Sequence, residues 1–114
     1  MADNGRQRDE GHLMSFANLQ RMAQQMQRDM ARVQEELAAA SVTGSAGGGV
    51  VTVTATGRQE VVAIAIDPSA VDPADVEMLQ DLVVVAVNDA LRAARELAES
   101  KMGAVTGGLR LPGM

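Results

Sequence analysis

The stretch Val50-Val51-Thr52-Val53-Thr54-Ala55-Thr56-Gly57-Arg58-Gln59-Glu60-Val61-Val62-Ala63-Ile64-Ala65-Ile66 decides the fold. From Val50 to Thr56 apolar and hydroxyl side chains alternate, the period of two that puts Val51, Val53 and Ala55 on one face of a strand and Thr52, Thr54 and Thr56 on the other. Gly57, Arg58 and Gln59 supply a short link, and Glu60 to Ile66 reads as the return strand. There Val62, Ile64 and Ile66 face one way and Val61, Ala63 and Ala65 the other. This second strand is apolar on both faces. It is either a central strand with a helix on each side or a strand whose bare face a second subunit covers.

Upstream, Ser41-Val42-Thr43-Gly44-Ser45-Ala46 reads as a short strand, and Gly47-Gly48-Gly49 gives the freedom for a turn into the next one. Three antiparallel strands in a meander follow. Further back, Leu19, Met22, Met26, Met30, Val33 and Leu37 recur at steps of three and four, the mark of a helix with one apolar seam. Ser15 is placed to cap it. From Ser15 to Ala40 such a helix would run roughly 39 Å at about 1.5 Å per residue, so it must stand out from a small core or pair along its seam.

Downstream, Asp67-Pro68-Ser69 ends the last strand because proline cannot donate to the ladder. Asp72-Pro73-Ala74-Asp75 reads as a helix start, with Asp72 at the N-cap and Pro73 at the first helical position. Val76, Leu79, Leu82, Val83, Ala86, Val87, Ala90, Leu91, Ala94, Leu97 and Ala98 trace a broad apolar stripe, and Gly103 is the expected stop. The expected class is α+β: a long N-terminal helix, a three-stranded antiparallel meander and a long C-terminal helix. One domain spans residues 15–102, between a flexible polar arm at 1–14 and a flexible tail at 103–114.

Composition narrows the function. The 114 residues carry no cysteine, one histidine and one aromatic, Phe16, against eight methionines. Disulfides and thiolate metal sites are excluded, and a metal cage or cofactor is not expected. Nucleophilic catalysis needs a base beside a hydroxyl, and the lone His12 sits in the polar arm, so no enzyme is expected. The three glycines lack the following Gly-Lys-Ser or Gly-Lys-Thr of a phosphate loop. No apolar run approaches a membrane span, and Met1 to Gly11 is unlike a secretory signal, so the expectation is a cytoplasmic chain without membrane contact.

A formal charge of −5 argues against general affinity for polyanions, but the charges are unevenly placed. From Asp72 to Met102 the bases Arg92, Arg95 and Lys101 stand against seven acids, a balance of −4. The bases lie toward the far end and most of the acids near the start. In the first helix Arg21, Arg28 and Arg32 are spaced by seven and four, which stacks them on one side. Arg32 with Glu36, Arg92 with Glu96 and Arg95 with Glu99 also have the four-residue spacing of ordinary solvated ion pairs. Contact with DNA, if made, would be through phosphates, because a single aromatic cannot form a stacking platform and there is no helix-turn-helix or finger signature.

The blocks Asn18-Leu19-Gln20-Arg21-Met22-Ala23-Gln24-Gln25-Met26-Gln27, Gln34-Glu35-Glu36-Leu37, Val42-Thr43-Gly44, Ile66-Asp67-Pro68-Ser69, Glu77-Met78-Leu79-Gln80-Asp81-Leu82-Val83 and Asn88-Asp89-Ala90 resemble, in order and spacing, the YbaB/EbfC family of bacterial nucleoid-associated proteins. Lys101-Met102 and Leu111-Pro112 are similar too, so the resemblance covers about residues 15–114. It implies a homodimer joined through the sheets, which points to Val51, Val53, Val62, Ile64 and Ile66, with long helices projecting as a pair of tweezers. It implies binding of double-stranded DNA in the nucleoid, with effects on transcription or DNA organisation. The implied contacts are Arg21, Arg28, Arg32, Arg92, Arg95 and Lys101. The competing reading is an interaction module whose Met-rich seam docks a partner such as a replication or recombination protein.

Overall fold

A computed structural model describes the backbone of residues 2–107 and the side chains of residues 15–106. The elements are helix α1 (Ala2–Ala39), strand β1 (Ser41–Ala46), a single 3-10 turn (Gly47–Gly49), strands β2 (Val51–Thr56) and β3 (Val61–Ile66), a second 3-10 turn (Pro68–Ala70) and helix α2 (Val76–Gly107). The class is the expected α+β. The chain divides into two compact units, Met1–Arg32 and Val33–Met114.

In the second unit the sheet order is β1-β2-β3, all antiparallel. Directly opposed residues share a face, so the pairs Gly44↔Val53, Ala46↔Val51 and Val51↔Ile66 put Gly44, Ala46, Val51, Val53, Ile64 and Ile66 on one side. Helix α2 lies on that side over β1 and β2. Ala86 and Ala90 are fully buried there with Val51, Val53 and Ala55, and Ala94, one turn further on, is fully buried too. Small side chains on both partners let the helix sit close to the strand. Each fully buried valine contributes about 1.5–3 kcal/mol. Val33 and Leu37, the last two members of the α1 seam, are buried in this unit as well.

Both turns of the meander have a definite cause. Gly47, Gly48 and Gly49 hold φ of 63°, 74° and 98°, a left-handed run that side chains resist. At the second turn the Gly57 amide donates to the Leu37 carbonyl at 2.9 Å. That carbonyl belongs to the last turn of α1 and has no partner inside the helix. The β2–β3 turn is thereby tied to the helix end.

Three boundaries and one strand register differ from the sequence reading. Helix α1 begins at Ala2, ahead of Ser15, so Ser15 is not its cap. Arg6 to Glu10 includes good helix formers and no proline, so the backbone can continue the helix without the seam. Helix α2 begins at Val76, because Asp72-Pro73-Ala74-Asp75 closes a turn of its own: the Asp72 carboxylate takes the Ala74 amide at 2.9 Å and its carbonyl takes the Asp75 amide at 2.9 Å. Asp75 is the helix cap, accepting from the Met78 amide at 3.2 Å. Asp75→Ala is therefore expected to cost about 1 kcal/mol in a thermal or urea melt, and Asp72→Ala clearly less. Gly103 lies inside α2, which continues to Gly107.

The fourth difference is a register shift between Thr54 and Ala55 that sets Val61, not Val62, opposite Ala55. A bulge of this kind moves one residue out of the alternation, so Val61 joins Ile64 and Ile66 on the α2 side. The tail from Gly108 and the side chains of residues 1–14, His12 included, lie outside the described residues.

Ahead of α2, the Asp67 carboxylate accepts from the Ser69 amide at 2.9 Å and starts the second 3-10 turn. That bond, with the Ser69 hydroxyl second, holds the carboxyl below its ordinary range.

Candidate nucleic-acid interface

The six expected contact residues fall into two groups. Three have carboxylate partners: Arg32 lies 3.2 Å from Asp29, Arg92 lies 3.7 Å from Asp89, and the Lys101 ammonium donates to Glu36 at 3.1 Å. For Arg92 the four-residue spacing to Glu96 loses to Asp89, and the reason is local. The Ser45 amide of β1 holds one Asp89 oxygen at 3.1 Å, so this carboxylate is already fixed one turn from the guanidinium and keeps its other oxygen for it.

Arg21, Arg28 and Arg95 have no carboxylate within salt-bridge distance among the described residues. Arg28 donates only a long bond, 3.5 Å, to the Gln24 carbonyl. Arg21 and Arg28 are exposed on α1 in the first unit, two turns apart. Arg95 belongs to the second unit. There it lines a cleft of about 330 Å³ whose wall includes Gln34, Leu37, Arg58, Gln59 and Glu99. The sequence reading did not set Arg58 beside Arg95. No spacing rule links a hairpin turn to a helix position so far along the chain, and only the packing of α2 over the sheet brings them together.

A second hollow, about 450 Å³, carries Asp72 and Asp75 on its wall. Both acids are engaged with backbone amides, and their sign is wrong for a polyanion.

The five expected dimer residues also divide. Val51 and Val53 are 0% exposed and packed beneath α2, so in this chain they offer no surface to a partner. Sequence alternation placed them on an apolar face without saying which helix would cover it. Val62, Ile64 and Ile66 are 60%, 46% and 39% exposed. Every residue of β3 is exposed, and Val61, at 41%, joins the apolar surface that α2 leaves bare. On α1, Phe16, Leu19, Met22 and Met30 are exposed along the outer seam. Among the described residues no cluster of acids and histidine could hold a metal ion, and no helix is long and apolar enough to cross a membrane.

Comparison with known proteins gives this arrangement a family. The YbaB/EbfC DNA-binding family matches residues 13–109. A nucleoid-associated protein of Chloroflexus aurantiacus is 59% identical over 97 residues, which cover 85% of this chain and 97% of that one. A nucleoid-associated protein of Moorella thermoacetica is 55% identical over 103 residues, 88% and 99% of the two chains. The crystal structure of an uncharacterized protein from Helicobacter pylori is similar with a TM-score of 0.67 at 26% identity, covering 83% of this chain and 97% of its own. With most of its length matched on both counts, the chain belongs to the YbaB/EbfC DNA-binding family.

Proposed function

We propose that this protein is a nucleoid-associated, non-catalytic DNA-binding protein. It works as a homodimer on duplex DNA in the cytoplasm and alters DNA organisation or transcription. Its contacts go to phosphates, and the helices that project from the paired sheets carry them. The observation that carries the reading is the exposed pair Arg21 and Arg28, one face of one helix with no acid in salt-bridge reach among the described residues. An acidic chain can hold a polyanion only where its cations are set apart from its acids, and these two are. Arg95, in the second unit, likewise has no acid in salt-bridge reach among the described residues. Arg32, Arg92 and Lys101, each beside a carboxylate, would have to exchange that partner for a phosphate and add less. The homodimer is supported by Val61, Val62, Ile64 and Ile66, an apolar strand surface exposed in the single chain.

A salt series of duplex mobility shifts tests the proposal. The wild-type affinity should fall steeply with salt, by about 0.9 in logarithmic slope for each phosphate contact. Arg21→Glu with Arg28→Glu should weaken binding about a hundredfold or more at moderate salt, because each arm then repels what it held. No shift at low ionic strength would end the reading.

The exposed Phe16, Leu19, Met22 and Met30 favour a second reading, docking of a replication or recombination protein along the α1 seam. Under that reading Met26→Asp would abolish partner capture, and the double arginine reversal would leave it intact.

A further inference from the structure

We propose that Arg58, on the β2–β3 turn, and Arg95, on α2, close on one phosphodiester of the duplex backbone. The sheet end would then be a DNA contact in its own right. This rests on the DNA-binding function proposed above and adds a contact site to it.

The cleft between these residues offers donors from three elements: the guanidinium groups of Arg58 and Arg95 and the carboxamides of Gln34 and Gln59. Leu37 lines the same cleft, and an apolar wall strengthens a charge-assisted bond made beside it. Neither arginine has a carboxylate within salt-bridge distance among the described residues. Two guanidinium groups against the single acid of the cleft, Glu99, leave one net positive charge, the complement of a diester. An open cleft also lets the strand enter and leave.

The turn holds Arg58 in place rather than merely displaying it. The Thr56 amide donates to the Glu60 carbonyl at 2.8 Å, the Gln59 amide to the Thr56 carbonyl at 3.1 Å, and the Arg58 amide to the Thr56 hydroxyl at 3.2 Å. With the Gly57 bond to Leu37, the backbone on both sides of Arg58 is fixed. Gln59 has φ of 64°, and it alone among the described residues has positive φ without being glycine. Glycine would take that conformation without strain. A glutamine there keeps a donor in the cleft at a conformational cost.

The experiment is duplex binding by fluorescence anisotropy over a salt series, with wild type, Arg58→Ala, Arg58→Lys, Arg95→Ala, the double alanine variant and Glu99→Gln. Arg58 is exposed, so its variants should melt with the wild type. Arg58→Ala should weaken binding about tenfold and flatten the salt slope by about 0.9 for each phosphate released. Arg58→Lys should restore the slope but only part of the affinity, since lysine lacks the planar fork. Glu99→Gln should tighten binding, and the double alanine variant should lose less than the two single losses combined, since both arginines serve one phosphate. If wild type binds and both single alanine variants stay within about twofold of it at every salt, the cleft is not a DNA contact and the proposed function stands without it. If wild type does not bind, both proposals fall. Inorganic phosphate, titrated at constant ionic strength and followed by the side-chain amide signals of Gln34 and Gln59, separates the phosphate sources. Saturation that needs Arg58, with DNA affinity unchanged in Arg58→Ala, would assign the cleft to a free phosphate and overturn the duplex assignment.

Discussion

Replacing Gly44 by alanine is expected to cost about 3 kcal/mol and to lower the melting temperature by about 12 °C or more. The reason is where β1 meets α2. A Cβ on Gly44 would overlap the backbone nitrogen of Ala90 and stand 2.5 Å from the Ala86 carbonyl oxygen and 2.8 Å from the Ala90 Cα. Overpacking is tolerated when a flexible side chain can swing away, but here the obstacles are helix backbone. Relief requires the helix to lift off the strand, which would open the contact of Ala86 and Ala90 with Val51 and Val53. Shortening a neighbour cannot rescue the variant, because the atoms in the way are backbone. Differential scanning calorimetry reads the shift. A loss of under about 4 °C would show that α2 can slide away at little cost and that the close packing of strand on helix does not limit stability.

Ile64→Asp is expected to halve the mass in solution, from twice the 11.9 kDa of the chain to one copy, as read by light scattering. Ile64 is 46% exposed, on the α2 side of the sheet but beyond the helix. A carboxylate there stays hydrated in a single chain and disturbs the fold little. In a homodimer that covers this surface it becomes a buried charge without a partner, one of the costliest changes an interface can undergo. Duplex affinity should fall about a hundredfold or more with it, since two linked arms give way to one. If the variant remains a dimer, the β3 surface is not where two copies meet. If it becomes a monomer and still binds DNA as wild type does, pairing is not needed for the grip.

Much of this was legible in the chain because the relevant signals are local. Alternation from Val50 to Thr56 and from Glu60 to Ile66 is a property of neighbouring residues, and it gave both strands within a residue of their ends. The three- and four-residue steps from Leu19 to Leu37 and from Leu79 to Ala98 gave both helices, though not their outer ends at Ala2 and Gly107. What failed depended on choices that sequence leaves degenerate. Asp72 and Asp75 are equally good caps, and the Pro73 that favours Asp72 serves a separate turn. The bulge opposite Ala55 arises from how the hairpin closes, and it brings Val61 onto the face of Ile64 and Ile66. Covering of Val51 and Val53 by α2 and exposure of Ile64 are decided by where one helix lies across three strands. At the candidate interface, spacing identified the cations but not their company. Arg92 offers itself equally to Asp89 and Glu96, and a strand amide on Asp89 settles the choice. Arg58 escaped notice because its neighbour Arg95 is close only in the folded chain.

The bond from the Ser45 amide to Asp89 also bears on how copies can accumulate. A three-stranded sheet has two free borders, and each is a template on which another chain could extend the ladder. Here the β1 border has a donor already taken and a carboxylate standing against it, the kind of obstruction that turns an incoming strand away. The β3 border is the more open of the two. If copies pair through β3 as proposed, an obstructed β1 border would favour discrete pairs over fibres.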